Sequence, residues 1–124
     1  MFSFEFLIRI LPDLMRGLVV TVQATFGGFA LALAVGLLLA LGRRSGVKPL
    51  RLFCDGYIAF MRCTPLLVQL YFVFYVLPSY GVRFSALFTG ILCLGLHIGA
   101  YIAEVYRAGI DAVPDGQWEA AKSL

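Results

Sequence analysis

Asparagine is absent from the 124 residues, so the chain holds no N-x-[ST] glycosylation acceptor. Histidine occurs once, at His97, which rules out a histidine-based metal cluster. The three cysteines, Cys54, Cys63 and Cys93, are odd in number and lie in or beside apolar runs. They form no C-x-x-C pair and fit neither a disulfide framework nor a zinc site. The first residues lack the basic stretch and small-residue cleavage site of a signal peptide. Charge is scarce too: charged residues are 14% of the chain, where a soluble domain carries roughly 25%. Hydrophobic residues make up 61%, with a mean hydropathy of +0.92. No core built from so short a chain could bury that much apolar surface, so lipid must act as solvent. An all-α integral membrane protein is expected, because helices satisfy their own backbone groups in a bilayer.

A span needs about 20 mainly apolar residues to cross a hydrocarbon core of roughly 30 Å. Three stretches qualify: Leu18–Leu41, Tyr57–Leu77 and Leu87–Tyr106. The second contains Arg62 and Pro65, so it reaches across only if Arg62 snorkels to the interface and Pro65 lies near the helix start or at a kink. Ahead of the first, FSFEFLIRI (Phe2–Ile10) reads as an amphipathic interfacial segment. GRRSGVKPLR (Gly42–Arg51) and LPSYGVRFS (Leu77–Ser85) read as loops. With three crossings, Arg9, Arg16 and Arg83 share one side. Arg43, Arg44, Lys48, Arg51, Arg62, Arg107 and Lys122 share the other. The positive-inside rule makes the second side cytoplasmic and leaves the N-terminus outside.

Small residues recur every four positions at Ala24, Gly28, Ala32, Gly36 and Ala40, and at Gly95, Gly99 and Ala103. Each set lies on one helical face, where backbones can approach closely, so Gly28, Gly36, Gly95 and Gly99 are packing candidates. GRRSGVK is not a phosphate loop: Lys48 does not follow the second glycine, Pro49 replaces Ser/Thr, and a membrane span precedes it. No nucleophile–base arrangement is credible, and an enzyme is not expected. His97 and Glu104 are seven apart on one face of the third span. Titratable groups at such depth point to a substrate pathway. The alternatives are a helix–helix hydrogen bond for His97 and an ion pair with Arg107 for Glu104.

The chain closes on GQWEAAKSL (Gly116–Leu124), where Trp118, Ala121 and Leu124 form an apolar edge beside Glu119 and Lys122. Pro114, Asp115 and Gly116 make a turn that can open a short helix. Such a helix suits docking into another protein's groove or lying on the membrane surface.

AYIAEVYRAGIDAVPDGQWEAAKSL (Ala100–Leu124) resembles the signature of the inner-membrane permeases of ATP-binding-cassette importers, in the polar amino-acid uptake family. RCTPLLVQLYFVFYVLP (Arg62–Pro78) is similar to that family's second-span motif and GLVVTVQAT (Gly17–Thr25) to its first-span entry. The likeness covers nearly the whole chain, and three motifs in order are specific where EAA alone is weak. LGLHIGAYIAEVYRAGI (Leu94–Ile110) further resembles the branch that imports ectoine and hydroxyectoine. The resemblance implies that Gly116, Glu119, Ala120 and Ala121 lie on a cytoplasmic coupling helix, residues 114–124, that docks on an ATPase subunit. It also implies a second permease subunit and an extracytoplasmic solute-binding protein, in the cytoplasmic membrane of a bacterium. ATP would be used by partner subunits, with no cofactor in this chain and no nucleic-acid partner. Two departures stand out. Cys63 takes the place of the Gly usual between Arg and Thr-Pro, and the family's five-span pattern continues beyond EAA. The 124 residues are therefore expected to be one permease domain, incomplete at its C-terminus. The reading from another class is an autonomous three-span channel or membrane interaction subunit.

Overall fold

The computed structural model describes residues 3–124, and among them every regular element is helical. Helix α1 spans Phe4–Arg44. Ser3 caps it by accepting the Phe6 N–H at 3.3 Å, Glu5 lies in its first turn, and Arg43 and Arg44 lie in its last, all matching the helix dipole. The interfacial segment expected at Phe2–Ile10 is not a separate element. Phe2 lies outside the described residues, and from Phe4 the chain is already α1. Pro12 forfeits one backbone hydrogen bond, yet α1 runs through it, flanked by the helix formers Leu11, Leu14, Met15 and Arg16. Its 41 residues reach about 60 Å at 1.5 Å each, roughly twice a hydrocarbon core.

The first expected loop also shrinks. Only Ser45–Val47 separate α1 from α2, Lys48–Cys63. Pro49 is not a loop marker but a first-turn residue, where its missing N–H is not needed.

The second expected span, Tyr57–Leu77, is broken. α2 stops at Cys63, Thr64 is extended, and α3 begins at Leu66. The two halves, Lys48–Cys63 and Leu66–Tyr80, meet at 98°. Pro65 is the cause: its ring drives Thr64 out of the helical region, and it has no N–H to offer the Met61 carbonyl. Gln69 fills the gap from the next helix, its Nε2 reaching the Thr64 carbonyl at 3.3 Å and the Met61 carbonyl at 3.5 Å. α3 (Leu66–Tyr71) then loosens into a π turn at Phe72–Val76 and tightens into a 3₁₀ turn at Leu77–Tyr80. Gly81 ends it at φ +88°, a conformation glycine adopts without penalty.

α4 covers Ala86–Asp111. Its cap is Ser85, whose Oγ accepts the Phe88 N–H at 3.2 Å. α1 and α4 are the helices long and apolar enough to span; a third crossing exists only if the bent pair counts as one. α5, Asp115–Lys122, follows after three linking residues.

α1 and α4 run parallel, in contact along much of their length. A methyl built on Gly28 would lie 2.9 Å from Leu94 Cβ, on Gly99 2.9 Å from a Val35 methyl, and on Gly95 2.5 Å from a Leu31 methyl. On Gly36 it would meet Ile102 at 2.6 Å and the Ala103 backbone nitrogen at 3.1 Å. The four glycines thus sit at one seam, each receiving a side chain of the opposite helix, with Ala32, Ala100 and Ala103 buried between them. α2 crosses the pair from the last turn of α1, where Cys54 Sγ fills the space beside Gly42, to the middle of α4, where Ile58 is buried with Ala100 and Ala103. After the bend, the chain returns along α4. Val68 and Gln69 share a groove with Cys93 and Leu96, and Tyr71 and Tyr75 share one with Ala86 and Thr89. The return is therefore made by two segments at a sharp angle, Lys48–Cys63 and Leu66–Tyr80, rather than by a straight Tyr57–Leu77 helix.

Candidate functional site

Where α1, α2 and α4 converge, their charged side chains form one connected network. Arg43, in the last turn of α1, holds Glu104 of α4 through Nη1 at 2.6 Å. Its Nε faces Asp55 Oδ1 of α2 at 2.6 Å, a close ion pair rather than an aligned hydrogen bond. Arg107 donates from Nε to the other Glu104 oxygen at 2.9 Å and from Nη1 to Asp111 at 3.2 Å. Asp111 also accepts from Arg44 at 3.0 Å. Arg62, at the end of α2, brings a third guanidinium to Glu104 at 3.8 Å, with its carbon 5.4 Å above the centre of the Tyr101 ring. One half-buried carboxylate thus faces an arginine from each of three helices. Tyr57 adds a neutral tie, donating its hydroxyl to the Leu96 carbonyl at 3.1 Å.

The pairing of Glu104 with Arg107 expected from their spacing is present. Arg43, Arg44, Asp55 and Asp111 join it, and sequence reasoning missed them. The first two were counted only as loop cations, and Asp55 lay in a stretch read as preceding a span. Their signal was faint: near each expected helix end, scarce acids accompany clustered arginines.

His97 lies one turn deeper on the α4 face that carries Tyr101 and Glu104. It is about nine-tenths buried, its ring centroid lies 5.5 Å from that of Tyr101, and its Nδ1 has no hydrogen-bond partner among the described residues. It does not touch the arginine network directly.

Gly116, Glu119, Ala120 and Ala121 are all on α5, and all are exposed. Pro114 is the residue before the helix and Asp115 opens it, so the Pro114–Gly116 turn is largely the first helical turn itself. Gly116, Glu119 and Ala120 share one face, with Ala121 beside it. Among the described residues α5 packs against no other helix. It joins the bundle only through Ala112–Pro114 and the last turn of α4, where Asp111 stands.

A helical bundle with an exposed short helix hung from its charged end has relatives. The family model described as binding-protein-dependent transport system inner membrane component matches residues 32–124. The chain belongs to that family. It is a bacterial membrane-permease family, and known relatives agree. A probable amino-acid ABC transporter permease protein of Sinorhizobium fredii is 50% identical over 119 residues, which are 96% of this chain and 52% of that protein. The L-cystine transport system permease protein of Bacillus subtilis is 38% identical over 113 residues, 91% of this chain and 48% of that protein. Among solved structures, the crystal structure of an amino acid ABC transporter with histidines superposes with a TM-score of 0.89 at 38% identity, covering all of this chain and 58% of the other. The chain spans about half the length of the curated relatives it matches.

Proposed function

We propose that the chain forms part of the permease subunit of an ATP-binding-cassette importer that carries an amino acid across a bacterial cytoplasmic membrane. The observation that carries this reading is α5: a short amphipathic helix, fully exposed, unsupported by the bundle, and bearing Gly116, Glu119, Ala120 and Ala121 where a partner can grip them. Its partner in this reading is a cytoplasmic ATP-binding subunit, which performs the hydrolysis. A second permease subunit and an extracytoplasmic solute-binding protein complete the importer. His97 and Glu104 are assigned to the same α4 face: Glu104 as the charged junction near the cytoplasmic end, His97 as a buried, unpartnered group beside the path.

Orientation follows from charge. Arg43, Arg44, Arg62 and Arg107 gather at one end of the bundle, and by the positive-inside rule that end is cytoplasmic, with α5 beside it. Single cysteines at Ser45 and Ser79, in a background without Cys54, Cys63 and Cys93, are expected to react from opposite sides of the membrane. Labelling of both by an impermeant thiol reagent in intact cells would show the orientation to be wrong.

The function itself is tested by uptake in cells lacking their own importers, carrying the complete permease with its ATPase and binding protein. Energy-dependent accumulation of a labelled polar amino acid is expected, and labelled ectoine in parallel decides between the two substrate classes. Uptake of neither, with all subunits in the membrane, would defeat the reading.

A further inference from the structure

A push on α5 can reach the bundle only through the last turn of α4, because among the described residues α5 packs on nothing else. At the far side of the same end, α2 is cut from α3 at Thr64–Pro65, two and three residues beyond Arg62. Glu104 lies between the two. We infer that the arginine–carboxylate network is the transmission train of the permease, with Glu104 as its junction and Arg62 as the positioning residue that passes movement of α5 to the bent α2–α3 element. This inference rests on the importer reading.

The connectivity supplies each link. The Arg107 guanidinium grips Asp111 with one nitrogen and Glu104 with another, so displacement of the last turn of α4 is delivered to the Glu104 carboxylate. Glu104 Oε1 in turn faces both Arg43 and Arg62. Arg43 is fixed twice, by Glu104 and by Asp55, both at 2.6 Å. α2 is thereby held at two points, Asp55 and Arg62, and these are unequal. The Arg62 contact is the longest of the network at 3.8 Å, and its side chain is 46% exposed.

Arg62 makes a second contact from the same position. Its guanidinium lies over Tyr101, one turn of α4 before Glu104, so it can shift between a carboxylate and an aromatic face without losing all stabilisation. The α1–α4 seam cannot provide the movement, because the side chains opposite Gly36 and Gly95 leave no room for it. What remains free to swing is α2–α3 about Thr64–Pro65, with Arg62 as its catch. Coupling between distant parts requires an element with two discrete arrangements, and in this proposal the second is Arg62 released from Glu104 onto Tyr101 as the end of α4 moves.

The test is the number of substrate molecules imported per ATP hydrolysed, measured in proteoliposomes with the complete importer and its binding protein. Arg62→Gln is expected to lower that ratio by about fivefold or more, the low end of ordinary coupling between sites. ATPase co-purification should be unchanged and hydrolysis should continue. Arg62→Lys, which keeps the charge but not the planar fork, should be intermediate. Arg51→Gln, at an exposed arginine without an ion pair among the described residues, should match wild type. Glu104→Gln should reproduce Arg62→Gln; if it fails to insert, the half-exposed Arg62 position still decides. A wild-type ratio for Arg62→Gln overturns the inference. So does a parallel fall of uptake, hydrolysis and ATPase co-purification, which marks a structural role. Absence of uptake by the wild-type complex would remove the importer reading instead, and this inference with it.

Discussion

Gly36→Ala should force α1 away from α4 and leave the permease poorly assembled. The added methyl would sit 2.6 Å from an Ile102 methyl and 3.1 Å from the Ala103 backbone nitrogen, both on α4. Rotation of Ile102 can move its methyl but not its Cβ, 2.8 Å from the added carbon, nor the Ala103 nitrogen, so the helices themselves must part. Overpacking of this kind costs about 1–3 kcal/mol in a well-packed core. The penalty is harder to absorb here, because the parallel seam is pinned at Gly28, Gly95 and Gly99 as well. Gly17→Ala and Gly109→Ala are the controls. Nothing lies within 4 Å of a methyl at either position, so these changes should be neutral. Thermal denaturation of the detergent-solubilised permease, followed by aggregation, reads the difference. A Gly36→Ala protein as stable as the Gly17→Ala protein would show that the seam is looser than described.

Glu119→Lys should abolish import while sparing insertion. Glu119 is exposed on a helix that supports no packing, so its replacement leaves the bundle untouched. Hydrogen bonds to a charged group are worth about 1.5–3 kcal/mol each, so losing one and burying a reversed charge should cut coupling by more than about tenfold. The informative comparison is binding-protein-stimulated ATP hydrolysis, expected to vanish, against permease abundance in the membrane, expected to hold. Normal uptake by Glu119→Lys would remove this carboxylate from the coupling contact.

The two spans at Leu18–Leu41 and Leu87–Tyr106 were legible because about twenty mainly apolar residues in a row have few other uses. The small-residue faces of α1 and α4 were legible for the same reason, since four-residue spacing fixes a face. Which side chain enters which glycine notch was not legible, because register depends on both helices at once. Pro65 announced a disturbance, and the backbone rule behind it allowed a start, a kink or a break. The 98° turn is set by what Thr64, Gln69 and α4 do around it. The arginine network was the least legible part. Arg43 and Glu104 are 61 positions apart and Arg44 and Asp111 are 67 apart, and no periodicity links residues brought together only by the parallel run of α1 and α4. Asp55 was hidden further by lying between the expected loop and the expected span, in a stretch given no element of its own. The continuation of α1 back to Phe4 left no sign either, because an amphipathic surface segment and the first turns of a long helix have similar sequences.

The isolation of α5 also bears on how such a chain can evolve. A residue in the α1–α4 seam answers to its neighbours in the same polypeptide, and Gly36 or Gly95 can change only if the opposite helix changes with it. Gln117, Trp118, Glu119 and Ala120 answer to nothing inside the described residues. Drift at these positions leaves folding intact and is filtered only by whatever protein they meet. In the importer reading, partner choice is thus written in one eight-residue word, which can be respelled or exchanged between related permeases without renegotiating the helices behind it.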